Sequence, residues 1–121
     1  MPNPAVERWF LSNESQCWLS SVTIAEIAFG IAKLDPGGRQ GRLRTQLAEF
    51  RAMFASRTHG FGSDSAMIYG EVMGNSRRLG QPMSIPDAQI AAIALERDLA
   101  LATQNVRDFI TTAVELINPW D

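Results

Sequence analysis

An α/β domain is what this sequence predicts, and three observations carry that expectation. Its 121 residues are 45% hydrophobic and 20% charged, which supplies one buried core and leaves too little length for two. Apolar stripes at helical spacing alternate with shorter, bulkier runs that fit buried strands. The strand-like runs are too few to close a barrel, so an open sheet flanked by helices is expected, as a single domain over residues 1–121.

The elements follow in order. Asn3-Pro4 is a helix start, with Asn as N-cap and Pro at the first helical position, and Val6, Trp9 and Phe10 share one face. The run 17–22 has the length and bulk of a buried strand, after which Thr23 opens a helical pattern with Ala25, Phe29 and Ala32 toward the core. Asp35-Pro36-Gly37-Gly38 ends that helix, because proline cannot continue it and two glycines favour a turn. Beyond the turn, Leu43, Leu47, Phe50 and Phe54 form the one-sided stripe of a second long helix. Residues 58–62 break the pattern, and Asp64 or Ser65 caps a helix whose inner face is Ala66, Tyr69, Val72, Met73 and Leu79, with Gly80 at its end. The proline-rich segment 81–86 delivers the chain to Asp87, in the first turn of a helix marked by Ile90, Ile93, Ala94 and Arg97. A strand over 99–103, a turn into a short helix over 105–110 and a last strand over 114–117 complete the chain, which closes on Pro119 and Trp120.

Charge and cysteine usage narrow the function. A net charge of -2 argues against gripping nucleic acid by bulk charge, so any nucleic-acid chemistry must be local. The single Cys17 forms no internal disulfide, which fits a reducing compartment and makes the cytoplasm the expected location. No apolar run approaches the length of a membrane helix, and the first residues show no basic region followed by an apolar stretch. Arg39, Arg42, Arg44, Arg51 and Arg57 make the stretch after the glycine turn the most basic, with Arg77 and Arg78 a second patch. Guidance of RNA is one reading; interleaving with Leu43, Leu47 and Phe50 favours a solvated helix face. His59, in a polar loop, is read as a surface residue, and Cys17 as a buried thiol. Trp9, Phe10, Trp18 and Trp120 are assigned to the core or to a dimer interface.

Three acids sit where an open parallel sheet collects its ligands, just beyond apolar segments. Glu26 follows the first strand-like run, Asp87 follows residues 83–85, and Asp108 follows the run ending at Thr103. If these segments run parallel, the three carboxylates converge on one rim, where a cation must offset their repulsion. With oxygen ligands and no nearby histidine, Mg²⁺ or Mn²⁺ is the fit, and such a site serves phosphoryl chemistry. Each acid also has a plain alternative. Thr23 and Glu26 have capping-box spacing, Asp87 at a helix N-terminus is favoured by the helix dipole, and Asp108 can cap the turn after Asn105.

Taken together, three blocks carry a resemblance: Leu19-Ser20-Ser21-Val22-Thr23-Ile24-Ala25-Glu26-Ile27-Ala28-Phe29-Gly30-Ile31, then Gly80-Gln81-Pro82-Met83-Ser84-Ile85-Pro86-Asp87-Ala88-Gln89-Ile90-Ala91-Ala92-Ile93-Ala94, then Leu101-Ala102-Thr103-Gln104-Asn105-Val106-Arg107-Asp108-Phe109. They resemble the PIN-domain ribonucleases, most closely the VapC-like toxins of type II toxin-antitoxin systems, and the closing Leu116-Ile117-Asn118-Pro119-Trp120 resembles the end of those proteins. The resemblance implies a three-layer PIN-like fold with a small central parallel sheet flanked by helices. It also implies Mg²⁺-dependent (or Mn²⁺-dependent) cleavage of RNA, homodimerisation, and inhibition by a cognate antitoxin. Carried over by position, Glu26, Asp87 and Asp108 match metal-binding and catalytic acids, Asn105 a polar substrate-binding position, and Thr23 a residue that orients the site. Gln104 stands where many relatives carry a basic residue.

The departure lies at the front. Members of the family begin with an apolar strand ending in Asp-Thr-Asn or Asp-Ser-Asn, whose Asp is a metal ligand, and this sequence has no such segment. The first strand is therefore expected to be absent, the domain to be N-terminally truncated relative to the family, and the carboxylates to number three at most. Cation binding and activity are then expected to be weak or lost, and the isolated chain to be unstable. The competing reading is a non-catalytic relative that dimerises or binds an antitoxin.

Overall fold

The fold is described from a computed structural model for residues 3–121, which contain five α-helices, four short strands and two 3₁₀ turns. They divide into two compact units, residues 18–60 and a second unit formed by the N-terminal residues up to Cys17 together with residues 61–121. Each unit holds one two-stranded parallel sheet.

In the unit 18–60, β1 (Leu19–Ser20) leads directly into α2 (Ser21–Ala32), and α3 (Gly38–Met53) leads to β2 (Thr58–His59). The strands pair in parallel, Leu19 opposite Thr58 and Ser20 opposite His59. The sequence predicts a strand over 17–22 and none near 58. The observed β1 is two residues long because Ser20, extended, takes the N-cap: its hydroxyl accepts from the Val22 amide at 3.1 Å. Strand β2 lacks any apolar alternation and exists through pairing with β1. The outward exposure of Ala25, Phe29 and Ala32 corrects the predicted inner face of α2, whose buried residue is Ile31. Gln40 of α3 ties the two helices together, its side-chain amide donating to the carbonyls of Ile31 (3.1 Å) and Leu34 (3.2 Å) at the frayed end of α2. The α3 stripe stands as expected, with Leu43, Leu47 and Phe50 half-buried and Phe54 buried.

In the other unit, α1 (Pro4–Asn13) starts as read, the Asn3 side chain accepting from Ala5 and Val6 amides at 2.8 and 3.3 Å. Helix α4 (Ser63–Arg78) begins after Gly62 rather than Asp64. Ser65, fully buried at the third helical position, closes the start by bonding both Gly62 backbone groups. Gly80, with φ of 68°, ends α4 in a left-handed turn in which Gly80 and Gln81 amides donate to the Arg77 and Ser76 carbonyls. Val72 is buried and Tyr69 and Met73 half-buried as expected, whereas Ala66 and Leu79 face outward. Helix α5 (Ile85–Glu96) packs on α4, and β3 (Leu101–Ala102) pairs in parallel with β4 (Leu116–Ile117). Both strands are shorter than predicted.

The core of this unit is a cluster of Val72, Ala88, Ala91, Ala94, Phe109 and Val114, flanked by Tyr69, Met73, Leu101 and Leu116. Alanines along α5 remove side-chain bulk between the helices, so close approach replaces large buried side chains. Enlarging Ala91, which has no exposed surface, to Leu is expected to cost about 1–3 kcal/mol. Ala66→Leu, on the exposed face of α4, is expected to stay within about 0.5 kcal/mol. Urea unfolding of the two variants checks this contrast.

Candidate active site

Asp87 is positioned by the start of α5. Ser84 is the N-cap, extended, and its hydroxyl accepts from the Asp87 amide at 3.3 Å. Helix α5 thus begins at Ile85, with Pro86 inside its first turn and Asp87 third in the helix, and residues 83–85 form no strand. The spacing of Ser84 and Asp87 is that of a capping box, a signal the sequence itself carries. Only the hydroxyl half of that exchange forms, so the Asp87 carboxylate is not spent on the cap.

Asp108 is positioned by the segment after β3. The Thr103 amide donates to the Ile117 carbonyl at 2.9 Å, extending the ladder, and the Thr103 hydroxyl accepts from the Asn105 amide at 3.0 Å. A 3₁₀ turn, Val106–Phe109, follows, closed by the Asp108 amide on the Asn105 carbonyl at 3.0 Å. Phe109 plugs this turn into the core cluster that also holds Ala88. Asp87 and Asp108 therefore each neighbour, in sequence, an anchor of one buried cluster, so the packing of α5 against the turn brings their backbones to one part of the unit. Thr103, with its turn-forming hydroxyl, is a positioning residue that the sequence reading missed. Asn105 and Asp108 are exposed, and Asp87 is half-buried.

Glu26 and Thr23 belong to the unit 18–60, on α2. Because Ser20 caps that helix, Thr23 is third in it and Glu26 sits in the second turn, which removes the capping-box alternative for Glu26. Glu26 is exposed and Thr23 half-buried. No hydrogen bond or ion pair among the described residues engages the carboxylates of Glu26, Asp87 or Asp108. Three oxygen-donor groups free of partners have the chemistry that Mg²⁺ or Mn²⁺ requires. No group of three His, Cys, Asp or Glu side chains among the described residues is gathered tightly enough to hold a metal ion.

The PIN domain family pattern matches residues 2–115, and the chain belongs to that family. It is 35% identical to the plasmid stability protein StbB of Pseudomonas syringae pv. tomato over 99% of its length and 88% of the relative's. It is 31% identical to the toxin FitB of Neisseria gonorrhoeae (98% and 87%), and 29% identical to the VapC ribonuclease Y4jK of Sinorhizobium fredii (99% and 87%). Among solved structures, FitAB bound to an IR36 DNA fragment superposes with a TM-score of 0.92 at 28% identity, over 100% of this chain and 86% of that one. FitAcB from Neisseria gonorrhoeae gives 0.91 at 30% identity, over 99% and 88%. The α/β PIN-like fold and the toxin nuclease family expected from the sequence are thereby borne out.

Removing the Ser84 hydroxyl by Ser84→Ala is expected to cost about 0.5–2 kcal/mol in chemical unfolding. Glu26→Ala, whose carboxylate holds nothing, is expected to change stability by less than about 0.5 kcal/mol. A larger loss at Glu26 would assign that acid to the fold.

Proposed function

We propose that this protein is a Mg²⁺-dependent endoribonuclease toxin of a toxin-antitoxin pair. The observation that carries the reading is family membership over residues 2–115 together with relatives named as a toxin and as ribonucleases. Glu26, Asp87 and Asp108 are its metal ligands and catalytic acids. Their oxygen donors suit a hard cation, Mg²⁺ or Mn²⁺, which when bound supplies a Lewis acid that offsets the charge developing on a phosphodiester. The chain's own residues would hold that ion, Thr23 would help orient the site from the first turn of the helix that carries Glu26 and that Ser20 caps, and the exposed amide of Asn105 would meet the substrate.

As partners we propose RNA, a cognate antitoxin and a second copy of the chain, with the cytoplasm as their common compartment. The likeness to the toxin FitB, solved as FitAB, supports the antitoxin. Among the described residues, no helix is long and apolar enough to cross a membrane. The second reading, a non-catalytic protein that dimerises or binds an antitoxin, is favoured by two observations. No tight three-ligand cluster forms among the described residues, and α2 exposes Ile27 and Phe29, the latter by 68%.

RNA cleavage in Mg²⁺ separates the two. The wild-type chain is expected to cut a single-stranded RNA, and Asp87→Asn to lower the rate by about 100-fold with an unchanged unfolding midpoint. Cleavage that is equal in the two proteins, or absent from both, would exclude the nuclease reading.

A further inference from the structure

We propose that the indole of Trp18, held against the imidazole of His59 on the β1–β2 ladder, is a stacking platform for an unpaired RNA base; this rests on the ribonuclease reading above. Trp18 immediately precedes β1, and its ring stacks on His59, which pairs opposite Ser20, so all three share one side of the ladder. Leu19 and Thr58 take the other face, where Leu19 is buried. The two rings stack with centroids 4.2 Å apart and planes 15° from parallel. Trp18 is nevertheless 45% exposed. Indole is among the largest apolar side chains, and this one keeps nearly half its surface open to a ligand beside a buried leucine.

The chemistry around it selects a nucleobase over an apolar peptide. The companions of Trp18 on its face of the ladder are Ser20 and His59, polar groups that would flank a base edge and would give an aliphatic side chain nothing to pack on. Charge points the same way. The unit 18–60 carries six cations (Lys33, Arg39, Arg42, Arg44, Arg51 and Arg57) against Glu26, Asp35 and Glu49, a net of +3 within a chain of -2. The rest of the chain is therefore at -5. Arg39, Arg42, Arg44 and Arg51 are exposed on α3, while Arg57 joins the ladder through its carbonyl, which accepts from the Leu19 amide at 2.9 Å, and its guanidinium lies 4.7 Å over the Phe54 ring. Aromatic faces for bases beside cations for phosphates are what single-stranded nucleic acid requires. The stack on His59 also fixes the indole plane in advance, which lowers the ordering cost of binding.

The test uses the full chain in EDTA, so that binding is read without cleavage, with a fluorescein-labelled ten-nucleotide single-stranded RNA followed by anisotropy. Trp18→Ala is expected to weaken binding roughly 5- to 100-fold, and Trp18→Phe to keep most of it. In a Trp9→Phe, Trp120→Phe background Trp18 is the remaining tryptophan, and the same RNA is expected to quench its emission, a response that a merely structural residue would not give. If RNA binds the wild-type chain but leaves both the Trp18→Ala affinity and the Trp18 emission unchanged, the platform is overturned and the ribonuclease reading survives. A wild-type chain that neither binds nor cuts RNA overturns both. Emission that answers to an antitoxin peptide and not to RNA assigns the surface to protein and overturns the platform as well.

Discussion

The close approach of α5 to its neighbours is the constraint on which half of the candidate site depends. Ala88, Ala91 and Ala94 bring α5 against α4, and Phe109 is driven into the same cluster from the 3₁₀ turn after β3. Asp87 and Asp108 each stand next in sequence to one of these anchors, so apolar packing holds two carboxylates in place. Neither acid gains a compensating bond from the fold. Exposed or half-exposed carboxylates on rigid, well-packed segments are suited to hold a cation, because the scaffold rather than the ligand absorbs the ordering cost.

Serine hydroxyls do the local positioning. Ser20 and Ser84 each end an extended segment and start a helix, and each accepts one amide that the helix leaves open. Ser20 moves the start of α2 ahead of Thr23 and leaves Glu26 a full turn inside the helix. Ser84 moves the start of α5 ahead of Asp87 and spends its own oxygen on the Asp87 amide. The same residue type in the same role delivers an acid in both units.

Much of this was legible in the sequence, and the failures have physical causes. The Asn3-Pro4 start, the stripe from Leu43 to Phe54 and the Gly80 stop are local devices, and they appear where the residues require them. The inner face of α2 was misread because Ala25, Phe29 and Ala32 are apolar yet point outward, and hydrophobicity marks a contact surface without saying what covers it. Strand β2 could not be read from Thr58 and His59, since its existence is a property of the pairing with β1. Thr103 was invisible as a positioning residue because its hydroxyl acts through backbone geometry. The acids themselves were legible as types at family positions, but their meeting is a long-range property that no spacing in a single sequence encodes.

We propose that Glu26, Asp87 and Asp108 serve one divalent ion. The direct measurement is a Mn²⁺ titration of the ¹⁵N-labelled chain, following paramagnetic loss of its backbone amide signals. The amides of Glu26, Asp87 and Asp108 are expected to fade together at one Mn²⁺ concentration, and none of them to do so in Asp87→Asn. Fading at Asp87 and Asp108 while the Glu26 amide stays intact would contradict it.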